Sequence, residues 1–465
     1  MASFCSRYFC EGQKLSAEAA EALRGEGAAA HLRYRKMIGM GLPFALVHLV
    51  WWSQMVKHDS FGMFSERVGA ERTPAYYMSI TMIFGSMLAG ATSEGGAAVA
   101  FPIMTLVFGI PPPVARDFSY MIQSVGMTAA AFTILFMRVQ VEWKSITYCT
   151  AGGFAGVIFG LEQVAPRLTP PYAKMYFVVI WGSFAGSLYY LNRLQGRKVY
   201  LVVDPPHLPA IWKNADLVPA EYPLLALVLN WKALVLLAAG FLGGIFTAMS
   251  GSGIDICSFA VLTLLFRLTE KTATPTSVVL MAVNTFIAMC YRHFWQEGLQ
   301  PDAWNFFVVC APIVVVGAPL GSVLGSFLHR LVLAAFVYVT DGAQLIGALY
   351  VVRPWTREKC NAATDCSPAD LCATSAVIFC VGLVFFYVLQ RAGQELIGRN
   401  DEVEKQAGLP AMRIVKTEVS TSIAEEASND PYIVPRTRIL VDDDVEKEIE
   451  MKTENLAVDP GCAEA

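Results

Sequence analysis

Three carboxylates stand inside apolar runs of this chain: Glu94, Asp255 and Asp341. An ionisable group at that depth is costly and is functional by default. Low dielectric disfavours its charged form, so each is a candidate proton carrier. Glu94 lies in a break of small polar residues, Thr92-Ser-Glu-Gly-Gly96, and Asp255 lies just beyond a second, Ser250-Gly-Ser-Gly253. A helix that stops within a bilayer leaves backbone N–H groups that must meet protein, water or ligand. Glycine lets a ligand approach that backbone, and a helix N-terminus favours an oxyanion. Ser93, Glu94, Gly95 and Gly96, with Gly251, Ser252 and Gly253, are therefore candidate substrate-binding residues. The chemistry they suit is reversible capture of a small anion, with protons as the candidate coupling ion.

Further polar groups follow each break. Ser119 and Ser277 open matching helices, and Gln123 and Asn284 lie further along them. These four could bond an anion, or cap and pack. Arg116, Asp117 and Arg292 fall at segment ends, where interfacial anchoring is expected. Gly152, Gly156 and Gly160 are spaced by four, which marks a helix-packing face.

Enzyme readings fail on motif. Gly251-Ser-Gly-Ile-Asp255 misses the Gly-x-Gly-Asp pattern of intramembrane aspartyl proteases by one residue, which leaves that reading remote. There is no His-Glu-x-x-His, no Gly-x-Ser-x-Gly and no phosphate loop. The eleven cysteines form no metal-ligand pattern. No cofactor, metal or nucleic-acid partner is expected. A channel built on the same broken helices is the nearer alternative to a carrier.

The elements that must position these residues are read from hydropathy. The chain is 55% hydrophobic and 16% charged, against about 25% charged in soluble domains. Its apolar blocks reach the roughly 20 residues that cross a bilayer. The fold expected is all-α and polytopic, with the lipid bilayer as its surroundings. A cytosolic segment 1–36 precedes an extra span at 37–56. A first repeat covers 76–191, a cytosolic linker 192–222, and a second repeat 231–352. A non-cytosolic loop at 353–370 carries Cys360 and Cys366, with Cys372 at its edge, a setting for a disulfide if that side is oxidising. A last span covers 371–391. The tail 392–465 holds 17 acidic and 8 basic residues, which predicts an acidic, disordered, cytosolic segment. The body before it is left at +5, which suits an anionic substrate and anionic headgroups alike.

Each repeat has five apolar segments. Phe108 and Phe266, Ala115 and Ala273, and Ser119 and Ser277 are 158 apart; Trp143 and Trp304, Gly156 and Gly317, Gly160 and Gly321, and Gly186 and Gly347 are 161 apart. Seven coincidences with one change of offset predict an internal duplication. Ala97–Phe108 and Ile256–Phe266 are too short to cross: 12 residues or fewer rise only about 18 Å of a core about 30 Å thick. Each is expected to pair with the segment before it as a broken or re-entrant unit. Three further spans then leave the second repeat inverted relative to the first. Arg33-Tyr-Arg-Lys36 and the basic linker place both termini in the cytosol.

These features resemble the sulfite exporter TauE/SafE family of anion permeases. The resemblance is carried by Glu94-Gly-Gly96, Phe108-Gly-Ile-Pro-Pro-Pro-Val-Ala115, Ser119, Arg138 to Trp143 and Gly152 to Gly160. In the second copy it is carried by Gly251-Ser-Gly253, Ala273 to Ser277, Arg292 to Trp304 and Gly317 to Gly321. It spans about residues 77–352. It departs from the family's three-glycine run at both breaks and adds carboxylates. What it implies is movement of sulfite, sulfonates or related organic anions without ATP.

Overall fold

The structure is a computed structural model, and it describes residues 34–68, 73–193, 200, 202–203, 231–356 and 367–406. Twelve helices carry the described chain: α1 (Arg35–Lys57), α2 (Tyr76–Ala91), α3 (Ala97–Pro102), α4 (Pro112–Phe136), α5 (Trp143–Phe159), α6 (Pro170–Arg193), α7 (Trp231–Ser250), α8 (Ile254–Ala260), α9 (Glu270–Phe294), α10 (Pro301–Phe327), α11 (Arg330–Val352) and α12 (Pro368–Gln406). Widened π-helical turns extend α3 over Ile103–Val107, α5 over Gly160–Val164 and α8 over Val261–Leu265. Two antiparallel strands of two residues, Arg67–Val68 and Thr73–Pro74, are the exception to helix.

Six helices are long and apolar enough to cross a membrane: Pro112–Phe136, Trp231–Ser250, Glu270–Phe294, Pro301–Phe327, Val332–Val352 and Pro368–Asn400. The chain is thus a multi-pass integral membrane protein. The expected spans at 37–56, 145–164 and 172–191 are helical as well, within α1, α5 and α6, but are not among those six. The last helix runs fifteen residues past its expected end at residue 391. Residues 1–33, most of the linker 192–222, Cys360 and Cys366 of the cysteine loop, and the tail beyond 406 lie outside the described residues. Cys372 is a free thiol on α12.

Burial follows helical periodicity, as an apolar surround requires. On α11, Ala334, Val337, Asp341 and Ala348 face inward, while Val339, Ile346 and Tyr350 are at least 70% exposed. On α12, Val377, Val381, Val384 and Val388 form an outward apolar stripe. Asp341 therefore enters the interior because its helix presents an apolar face to its surroundings.

The duplicated landmarks fold alike. Helices α4 and α9 are both 25 residues long and start 158 residues apart. Both short helices end in the same two hydrogen bonds: Phe108 N to Ile103 O with Ile110 N to Met104 O, and Phe266 N to Val261 O with Leu268 N to Leu262 O. Helices α4 and α9 pack antiparallel. Asp117, near the start of α4, bonds Arg292 at the end of α9 (3.0 Å), whereas Glu142 N, beyond the end of α4, bonds Thr276 Oγ1 near the start of α9 (2.9 Å).

Close helix pairs cross between the two sets. A methyl added at Gly152 or Gly156 of α5 would strike the carbonyls of Leu237 or Phe241 on α7. A methyl added at Gly317 or Gly321 of α10 would strike Ser86 or the Met87 carbonyl on α2. The first helix of each set thus seats on the glycine face of the other set's long helix. Without a hydrophobic drive between helices in lipid, such backbone approach is what holds them together.

Candidate functional site

Both expected breaks are present. Helix α2 ends at Ala91 and α3 starts at Ala97, with Gly95 at φ +72° between them. Helix α7 ends at Ser250 and α8 starts at Ile254, with Gly251 at +91° and Gly253 at +155°. These angles favour glycine, since a Cβ is strained there. The two breaks touch: Ser252 Oγ lies 3.1 Å from Glu94 O, between positions 158 residues apart. That separation equals the offset between Phe108 and Phe266.

Gln123 ties the breaks together. Its Nε2 donates to Gly251 O at 2.7 Å and to Ser119 O at 3.0 Å. Its Cγ lies against Gly96, and its Oε1, buried without a hydrogen-bond partner, points at Gly95. The end of the Met281 side chain, on α9, packs beside it against Gly95. Ser119 packs its Cβ against Gly251 and donates to Ala115 O at 2.7 Å.

The other expected site residues sit apart. Ser277 closes on its own helix, donating to Thr274 O at 2.8 Å. Asn284 donates to Leu280 O at 2.8 Å and reaches Thr150 Oγ1 at 3.4 Å. Its Oδ1 is unpartnered and borders Gly153 beside Ile254, the residue that follows the second break.

The three carboxylates separate by their partners. Asp255 is wholly buried, with Oδ1 accepting from Gly253 N at 2.7 Å and Oδ2 from Ser252 Oγ at 2.7 Å. Ile254 N finds Thr247 Oγ1 at 3.2 Å. The second break is therefore capped by its own residues. Glu94 and Asp341 are each 1% exposed and interact with one another. Glu94 Oε1 and both Asp341 oxygens have no hydrogen-bond partner. At the first break the amides of Gly95 and Gly96 meet no acceptor among the described residues. Unpartnered amides and unpartnered carboxyl oxygens thus lie together at the first break.

Arg116, Asp117 and Arg292 lie near helix ends as expected, and each finds a charged partner inside the bundle. Asp117 is wholly buried, and Arg116 and Arg292 are 8% and 7% exposed. Sequence spacing hides the cluster, as Arg292 lies 175 residues from Asp117 and reaches it through the antiparallel packing of α4 and α9. A signal was present: three charges at helix ends that an inverted pairing would bring to one face.

A cavity of about 50 Å3 lies at the opposite ends of these helices. Gly90, Ala91, Thr274, Pro275, Ser322 and Ser326 are among its lining residues. It holds a few waters by volume and ends against the last turn of α2, next to Thr92. Lys271 on its rim donates to Ser326 O at 2.7 Å and Leu328 O at 3.1 Å, capping α10.

The architecture is that of a polytopic membrane protein with two interrupted helices meeting in its interior. Residues 235–387 match the model of the sulfite exporter TauE/SafE family. No curated protein and no solved structure matches the chain. The matched family consists of transporters rather than enzymes. Among the described residues no group of three or more His, Cys, Asp or Glu side chains could hold a metal ion.

Proposed function

We propose that this protein is a secondary transporter for a small oxyanion, of the class of sulfite, a sulfonate or a related organic anion. Its substrate site is the meeting point of the two breaks, at the interface of two inverted repeats. The observation that carries this reading is the contact between Ser252 and Glu94 O, which brings two helix interruptions of matching sequence position together inside the bundle. Interrupted helices at a repeat interface are where secondary transporters bind solute. The reciprocal seating of α2 on α10 and α7 on α5 supports the two-fold relation, as does the antiparallel packing of α4 and α9.

The roles follow from which groups lack partners. The amides of Gly95 and Gly96, with Ser93, receive the anion. Gln123 and Ser119 position the two breaks, and Ser252 links them. Gly251 and Gly253 form the turn that Asp255 caps. Ser277 and Asn284 support α9. An anion beside Glu94 is repelled when that side chain is charged, so loading a proton on the Glu94–Asp341 pair accompanies loading the anion. Asp255 is assigned to the cap rather than to proton transfer. The cytosolic placement of both termini belongs to the same reading, and the cavity by Lys271 is then the cytosolic approach to the site.

The test is counterflow in proteoliposomes preloaded with sulfite, sulfate, a short sulfonate or a short carboxylate. Saturable exchange of at least one of them is expected. Flux that rises without saturation and carries uncompensated current would instead assign a channel.

A further inference from the structure

The Arg116–Asp117–Arg292 cluster takes no part in the site above, yet it brings three charged side chains into direct contact inside the bundle. Asp117 Oδ1 accepts from Arg116 Nε at 3.1 Å and Nη2 at 3.0 Å. Its Oδ2 accepts from Arg292 Nη2 at 3.0 Å and from Gln300 N at 3.1 Å. Two guanidinium groups thus share one carboxylate, which leaves an uncompensated positive charge. Gln296 Oε1 accepts from Arg292 Nη1 at 3.0 Å. Arg292 Nε is buried and has no acceptor. A buried guanidinium N–H without a partner costs free energy until an acceptor arrives, and an oxyanion is its strongest acceptor.

Position adds to charge. One turn along α4, Ser119 packs on Gly251 and Tyr120 donates its hydroxyl to Thr247 O at 3.0 Å. The cluster is therefore joined to the second break through a single helical turn. The arginines keep a little exposure where Asp117 has none, so a solute arriving from that face meets cations first. Glu162 also faces this region, at the exposed rim, where it accepts from Tyr291 OH at 2.9 Å and Gln296 Nε2 at 2.8 Å.

We propose that Arg116 and Arg292 form an anion-binding subsite on the face opposite the cavity, where an oxyanion taken up at the unpartnered Arg292 Nε joins Asp117 and balances the second guanidinium charge. Only the class of the ligand rests on the transport reading. A carboxylate, sulfite or sulfonate presents the same pair of oxygens to a guanidinium fork. Asp117 and the oxyanion together balance the two guanidinium charges, whereas loss of both would leave two buried cations unpaired.

The test uses the full-length protein in nanodiscs, low-salt buffer and sulfite or sulfate as probe, read by thermal unfolding and by equilibrium titration. Asp117→Asn is expected to lower Tm, and millimolar oxyanion is expected to restore it by more than it shifts the wild type. Arg292→Gln leaves Arg116 paired with Asp117, so it is expected to fold and to bind sulfite at least about tenfold more weakly. A Tm loss in Asp117→Asn that neither oxyanion repairs would overturn the subsite. So would wild-type sulfite affinity in Arg292→Gln, the variant that decides if Asp117→Asn fails to fold. Anion rescue without any flux in wild-type liposomes would instead remove carriage and keep the subsite.

Discussion

Glu94 stands within its helix break and Asp255 just past its own, and they differ in their hydrogen-bond partners. Asp255 accepts from the Gly253 amide and the Ser252 hydroxyl, so it satisfies groups that the break would otherwise strand. Asp255→Ala leaves the Gly253 amide without an acceptor, while Ser252 keeps Glu94 O, and a loss of about 1–3 kcal/mol in stability is expected. Thermal unfolding in detergent checks it, and an unchanged Tm would remove the cap. Transport by Asp255→Asn is expected to keep its dependence on pH. The sequence shows that these carboxylates are buried, because the surrounding residues are apolar. It does not show which is satisfied, because the partners of Asp255 are supplied by a turn whose shape depends on two positive φ angles. The approach of Asp341 to Glu94 likewise depends on how α11 is rotated, and the Arg116–Asp117–Arg292 cluster depends on α9 packing antiparallel to α4.

Elements enter through close approach. Gly95 combines φ +72° with a neighbour, Met281, that leaves no room for a methyl. Gly95→Ala therefore incurs about 1–2 kcal/mol of backbone strain together with overpacking of about 1–3 kcal/mol. The double variant Gly95→Ala with Met281→Ala is expected to be more stable than Gly95→Ala alone, since truncation relieves the overpacking but not the strain. Strictly additive losses in Tm would show that the two residues do not meet. At the glycine face, Gly156→Leu is expected to push α5 off α7 and abolish monodisperse protein on size exclusion, while Gly398→Leu, which meets nothing within 4 Å, is expected to leave it intact. The short helices and the spacing of the glycines were legible from the sequence, because length and period are local properties. The widened turns that end α3, α5 and α8 were not, since no local residue type demands them.

At the scale of the molecule, the account depends on opposed halves. The loop at 138–142 bonds near the start of α9, and the loop at 295–300 bonds near the start of α4, so the two lie at opposite ends of this antiparallel pair. Gln140→Cys and Glu297→Cys, labelled above the wild-type background with a membrane-impermeant maleimide, are therefore expected to react from opposite sides of the bilayer. Labelling from one side would contradict the inverted arrangement. The two fixed offsets in the sequence fall on helices of equal length, α4 and α9, and on two short helices with the same terminal hydrogen bonds. The crossed seating of each first helix on the other set's glycine face was not legible there, because an offset carries no information about which copy a helix packs against.

The most direct measurement is sulfite accumulation in proteoliposomes under an imposed pH gradient, comparing wild type with Glu94→Gln. The account predicts that the gradient drives accumulation in the wild type and fails to do so in Glu94→Gln, while that variant still exchanges sulfite in counterflow. Accumulation of equal extent in both proteins would contradict it.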